Sequence, residues 1–218
     1  MDKISLRNLL PNVFRGAENE PPVCDSNLWL RDFSFEKGKT YLIVAESGTG
    51  KSSLCSFIYG NRSDYQGTIL FDDADIRQFD IARWCDIRRR EISLLPQEMR
   101  LFPELTAIEN ILLKNNLTNH KSTDEILDMM RRLEVAEKAD TPAARLSIGQ
   151  QQRVAVIRSL CQPFDFLILD EPVSHLDARN NATVAALVAE EAQRQNAALI
   201  ATSVGNHLSI DSDFTINL

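Results

Sequence analysis

The stretch "TYLIVAESGTGKSS" (residues 40–53) constrains the fold more than any other part of the chain. Its first six residues, 40–45, form an apolar run that reads as a buried strand. Gly48 and Gly50 follow, then Lys51, Ser52 and Ser53, and beyond them Leu54, Phe57 and Ile58 share one face of a helix. A strand, a glycine-rich turn and a helix in that order point the backbone N–H groups around Gly48, Thr49, Gly50 and Lys51 into one concavity. The helix N-terminus adds positive potential there, so the concavity suits a phosphate group. Glycines at 48 and 50 let the backbone approach an anion with no Cβ in the way. Ala45 departs from the strict pattern, which has glycine at that place. A left-handed Ala45 would cost about 1 kcal/mol; as the last residue of a strand it would cost nothing.

A second segment complements the first. "FDFLILD" (164–170) is an unbroken apolar strand that delivers Asp170 and Glu171 at its carboxyl end, where ligands of open α/β sheets bind. Asp170 is placed to hold Mg²⁺ through water, and Glu171 to act as general base on an attacking water. Together the two segments indicate a P-loop nucleotide triphosphatase.

The remaining pattern is alternation of strands with amphipathic helices. "TILFDD", "EISLLPQ", "AALIATS" and "SDFTINL" read as further strands. Ser122 and Glu125 have capping-box spacing ahead of a helix that turns Ile126, Met129, Met130 and Leu133 inward. Asp177 is placed to cap a long helix through Val184, Leu187 and Val188. The expectation is an α/β fold of one domain over residues 1–218, with a mainly parallel sheet core, an N-terminal antiparallel β region and a helical subdomain at about 98–160. The polar, proline-rich segment 16–27 reads as a surface loop between two early strands.

Charge narrows the partners. The chain carries 24 Lys and Arg against 31 Asp and Glu, a net charge of −7, so nucleic acid is not an expected partner. The basic run "RRRE" at 88–91 reads as solvated surface or a subunit contact. The four cysteines are far apart with no metal-ligand spacing, which fits reduced cytosolic thiols. No run of about 18 apolar residues occurs, so no transmembrane span is expected.

"LSIGQQQRVAVIRSL" (146–160) resembles the signature sequence of ATP-binding-cassette (ABC) ATPases. Gln97 resembles that family's Q-loop glutamine, and "SHLD" (174–177) its D-loop. "LFPELTAIENILL" (101–113) is similar to the lipoprotein-releasing, macrolide-exporter and cell-division branch. The resemblance implies ATP with Mg²⁺ on a head-to-tail dimer, each ATP lying between one copy's phosphate loop and the other's signature. It makes Ser47, Gly48, Thr49, Gly50, Lys51, Ser52 and Ser53 the phosphate-loop candidates, and Ser147, Gly149 and Gln150 the candidates across the interface. Ser52, Gln97 and Asp170 become the metal set, and Glu171, Gln97 and Ser203 the catalytic set. Ser147 also reads as an ordinary helix N-cap, which is compatible with that role. Ile148 stands where the family usually has glycine, which is tolerable at negative φ with the side chain turned away. Phe14 is the candidate to stack on adenine, with a plain core phenylalanine as the rival reading. The resemblance further implies membrane permease subunits as partners, with segment 101–113 lining the groove that receives them, and a cytoplasmic place at the inner face of the membrane.

One station differs in kind. The family usually ends the strand after the D-loop helix with a histidine that contacts the γ-phosphate, whereas "AALIATS" ends in Ser203. Losing an oriented group that stabilises transition-state charge costs about 10²–10³ in rate. The alternative to a plain serine station is that His207, in the turn-prone "SVGNH", folds back onto it; His175 reads as a surface loop residue. With Glu171 retained, the expectation is a working but slow ATPase. Its rival is a nucleotide-gated subunit with little hydrolysis that pairs with another ATPase. A soluble cassette acting in DNA repair or translation is disfavoured by the acidic charge and the lack of long heptad repeats.

Overall fold

The computed structural model describes residues 1–218, and its two sheets divide the strands by direction. The first is antiparallel, with β1 (Lys3–Pro11), β2 (Phe33–Glu36), β4 (Tyr65–Phe71) and β5 (Ala74–Asp75) in the order β2-β1-β4-β5. The second is wholly parallel, with β3 (Thr40–Val44), β6 (Ile92–Leu95), β7 (Phe166–Asp170), β8 (Ala198–Ser203) and β9 (Phe214–Asn217) in the order β6-β7-β8-β3-β9. The α/β expectation, with its parallel core and N-terminal antiparallel region, matches this architecture. "TILFDD" falls in the antiparallel sheet, as β4.

Parallel strands with both faces covered are apolar on every residue, and β7 is buried along its whole length. Successive side chains point to opposite faces, so the sheet separates two cores. Leu167, Leu169, Leu199 and Ala201 join one core with α3 (Ala107–Asn115), α4 (Thr123–Arg132), α5 (Ile148–Leu160) and α6 (Ala178–Arg194). Phe166, Ile168, Ala198 and Ile200 join the other, with the antiparallel sheet and α1 (Lys51–Ile58). The remaining helix is α2 (Ile81–Arg90).

Local capping follows the sequence. Ser122 and Glu125 form the reciprocal capping box of α4, and Ile126, Met129, Met130 and Leu133 are buried. Asp177 caps α6 by accepting from the Asn180 amide at 2.8 Å. Residues 98–160 hold α3, α4 and α5. The segment 16–27 differs from its reading as a plain surface loop, because Val23 and Ser26 are buried. Ser26 Oγ accepts from the Leu28 and Trp29 amides, and this turn drives Trp29 into the interior. The basic run is a solvated surface in part: Arg89 pairs with Asp86, and Arg83 with Glu91.

Candidate functional site

The phosphate loop runs from β3 into α1. Gly48 and Gly50 have φ of 87° and 101°, the left-handed region in which only glycine is unstrained. A Cβ on Gly50 would stand 2.9 Å from the Trp29 ring, so close approach forbids a side chain there as well. The Trp29 indole N–H donates to the Thr49 carbonyl at 3.0 Å and fixes the loop from below. Ala45 is not left-handed, so its departure from the glycine pattern carries no backbone strain.

Lys51 is 4% exposed, and its ammonium donates to the Ala45 and Glu46 carbonyls of its own loop. Burial pulls its pKa below the usual lysine value, against the opposing pull of the Glu171 and Asp170 carboxylates. Thr49 turns its hydroxyl to the Glu46 carbonyl at 3.0 Å, and Ser53 accepts from Arg62 at 3.0 Å, so both side chains are engaged within the chain.

The carboxylates stand at the neighbouring strand ends. Glu171, the first residue beyond β7, has φ of 52°, a conformation that non-glycine residues rarely adopt and that is found at functional sites. Thr202 secures the pair: its hydroxyl donates to Asp170 Oδ1 at 2.7 Å and accepts from the Glu171 amide at 3.2 Å. Gln97 bridges the cleft, donating from Nε2 to Glu171 at 3.1 Å while its Oε1 accepts from Ser52 at 3.4 Å.

These contacts test whether the site suits Mg²⁺. A hard cation of octahedral preference takes oxygen ligands at about 2.1 Å, which puts adjacent ligands about 3 Å apart. Ser52 Oγ and Gln97 Oε1, 3.4 Å apart, come near that spacing, and the buried Asp170 carboxylate is held in orientation by Thr202. The oxygen-only donor set fits.

Phe14, Ser47, Gly48, Gly50, Lys51, Ser52, Ser53, Gln97 and Glu171 therefore line one cleft. Val13 lines it too and is 74% exposed at its mouth. Phe14 is half-buried, packed against the core and close to Gly50, so its two readings meet in one place. Ser147, Gly149 and Gln150 lie outside this cleft. They open α5, where Ser147 and Gln150 close a reciprocal capping box and Ile148 is helical, 52% exposed and free of positive φ.

Ser203 ends β8, buried, with its Oγ 2.5 Å from His207 Nδ1. The chain does fold back, and the serine station has a histidine behind it.

Four functional residues escaped the sequence reading. Thr202 and Gln152 are buried polar groups, and Gln152 ties α5 to the Glu171 carbonyl and the His175 amide. Trp29 supports the phosphate loop through its indole N–H and its ring, and Val13 lines the cleft. A polar residue ending an apolar strand was the one available signal, at Thr202.

A family model described as ABC transporter matches residues 31–174. The chain is 30% identical over 191 residues to the uncharacterized ABC transporter ATP-binding protein YclH of Bacillus subtilis (strain 168), across 86% of this chain and 83% of that one. It is 31% identical over 185 residues to the lipoprotein-releasing system ATP-binding protein LolD of Shewanella frigidimarina (strain NCIMB 400), across 84% and 77%. Among solved structures, it is similar to the ATP-binding cassette MJ0796 in a dimeric post-hydrolysis state bound to ADP and Pi. The TM-score is 0.75 at 22% identity, across 92% of this chain and 87% of that one, a likeness of fold.

Proposed function

The chain belongs to the ABC transporter ATP-binding family, and from that premise we propose that it is the ATP-hydrolysing subunit of a transport system with a separate membrane permease. The observation that carries this reading is the linked set Ser52–Gln97–Glu171 with Thr202–Asp170, which joins a phosphate loop to a general base in one cleft.

In this reading the loop amides and Lys51 hold the β- and γ-phosphates, and the phosphate oxygens replace the carbonyls that Lys51 now contacts. Val13 and the Phe14 ring offer apolar surface to the adenine. Ser52, Gln97 and Asp170 would hold Mg²⁺, which when bound would neutralise charge on the phosphates. Glu171 takes a proton from a water as that oxygen bonds to the γ-phosphorus. The bond from the γ-phosphorus to the bridging oxygen breaks, leaving ADP and phosphate.

Ser147, Gly149 and Gln150 open a helix N-terminus suited to a γ-phosphate but stand outside their own cleft. A second copy placed head to tail brings them to it, as a homodimer; the cassette MJ0796 is dimeric in its solved structures. No helix is long and apolar enough to cross a membrane, so attachment to one falls to the permease. The groove next to Gln97 is the docking place. Pro96, Phe102 and Leu113 line it with Lys114 and Arg158, and Phe102 and Leu113 are exposed. Neither Lys114 nor Arg158 has a carboxylate partner in the chain, so a permease segment carrying both apolar and acidic side chains fits.

Steady-state phosphate release with ATP and Mg²⁺, against Glu171→Gln as the blank, tests the reading. Turnover above the blank is the expected result. Turnover equal to it makes the chain a nucleotide-gated subunit instead.

A further inference from the structure

We propose that His207 is a positioning residue of the γ-phosphate station, acting through the Ser203 hydroxyl. The proposal rests on the ATP-hydrolysing reading of the site. It concerns how a strand end with a serine in place of histidine handles the phosphate.

Ser203 ends β8, the strand that lies between β7 and β3, the two strands that lead to Glu171 and to the phosphate loop. It pairs in register with Val44 of β3, and its carbonyl accepts from the Ala45 amide at 3.4 Å, where the phosphate loop begins. The residue before it, Thr202, pairs with Asp170 on the other side. Oγ of Ser203 has one side-chain partner, Nδ1 of His207 at 2.5 Å.

The return of His207 is built into the fold. Asn181, a buried residue of α6, donates from its side-chain amide to the His207 carbonyl at 2.7 Å and accepts from the Ser209 amide at 2.9 Å. Asn206 donates to the Val173 carbonyl at 3.0 Å, and Leu208 is buried. The turn is thus held on both sides of the histidine by bonds that do not involve its ring.

Donor arithmetic then gives the ring a task. A serine hydroxyl has one hydrogen and two lone pairs, and an imidazole nitrogen either donates or accepts. With Nδ1 accepting, the Ser203 hydrogen is taken and only lone pairs face an incoming phosphate. With Nδ1–H donating, the Ser203 hydrogen is free to bond a phosphate oxygen. An anion at Ser203 selects the second arrangement, and His207 then holds the hydroxyl in the orientation the γ-phosphate needs. Charge developing on that oxygen is met by an oriented donor that water could not hold in place.

The test measures kcat and KM for ATP hydrolysis, and the Kd for ADP, in the intact chain and in His207→Ala, Ser203→Ala, the double variant and His207→Asn. His207→Ala leaves the carbonyl that Asn181 binds, and an exposed ring is removed, so the fold is retained. Each single alanine variant is expected to lose about tenfold or more in kcat, with KM and the ADP Kd within about twofold. The double variant loses no more than the worse single one, because the two groups act in series. His207→Asn, whose amide nitrogen can stand in for Nδ1, recovers part of the loss. Wild-type kcat in His207→Ala, multiplying losses in the double variant, or no recovery in His207→Asn overturns the proposal. So does a parallel loss of ADP affinity, which marks a structural role. Wild-type turnover no faster than that of Glu171→Gln instead overturns the hydrolysis reading, and the positioning role with it.

Discussion

The phosphate-loop cleft and the N-terminus of α5 are both helix starts suited to anions, and they differ in what they face. At the cleft, Gln97 donates to Glu171, the Glu171 amide donates to Thr202, and Lys51 donates to the Ala45 and Glu46 carbonyls of its own loop. At α5, Ser147 and Gln150 bond only to each other, with Ile148 exposed between them. One region is complete in itself and the other is presented outward. In the proposed reading, a single copy would hold the base and the metal ligands but only part of the phosphate contacts. The same reading takes the remaining donors from a second copy.

The largest expected effect falls on the complete region. Glu171→Gln removes the base and keeps the shape, so turnover drops by about 10²–10⁴ while ATP affinity stays within about twofold, as phosphate release and nucleotide titration would show. Equal losses in binding and turnover would mean that Glu171 only shapes the cleft. Thr202→Val comes next. It strips one hydrogen bond from buried Asp170 and one from the Glu171 amide, costing about 1–3 kcal/mol in denaturant unfolding. Loss of the Glu171 orientation is expected to lower kcat by about tenfold to a hundredfold as well.

Ser147→Gly sharpens the contrast from the other side. Glycine is nearly as good an N-cap, so stability falls by only a few tenths of a kcal/mol, about what thermal unfolding can resolve. Turnover nevertheless drops by about tenfold if the hydroxyl serves a second copy's γ-phosphate. Unchanged turnover would make Ser147 a cap and nothing more.

The smallest effect lies in the groove beyond Gln97. Burial, with Arg158 and Arg88 alongside, brings the Lys114 pKa from 10.5 to about 8. Below about pH 8 the charged lysine is carried at a cost in the folded chain. Between about pH 8 and 10.5 the unfolded chain holds more protons, so stability rises with pH. Lys114→Met should therefore raise Tm below pH 8 by about 2–4 °C, equivalent to roughly 1 kcal/mol, with the gap closing by about pH 10.5. A pH-independent gap would trace the effect to packing.

Much of the cleft was legible in the sequence because its geometry is local. A strand, glycines and a lysine in order fix a loop, and Asp170 with Glu171 follow from one apolar run. The capping boxes at Ser122 and Ser147 were legible for the same reason, since their bonds span three residues. What was hidden depends on chain segments meeting. Trp29, just beyond the segment 16–27 that reads as a surface loop, supports Gly50, and Thr202 joins two strands whose adjacency only the sheet order decides. His207 lies between the two cases, since the sequence offers its folding back only as an alternative. The turn that returns it to Ser203 is held by Asn181 of α6, and nothing in "SVGNH" encodes that bond.

The account stands on the outward-facing half of the site being completed by a second copy. Light scattering of the Glu171→Gln chain, with and without ATP and Mg²⁺, measures this directly. The predicted result is a mass of 24.6 kDa without nucleotide that doubles when ATP is added, and that fails to double in the Ser147→Gly background. A mass that stays at 24.6 kDa with ATP bound would contradict it.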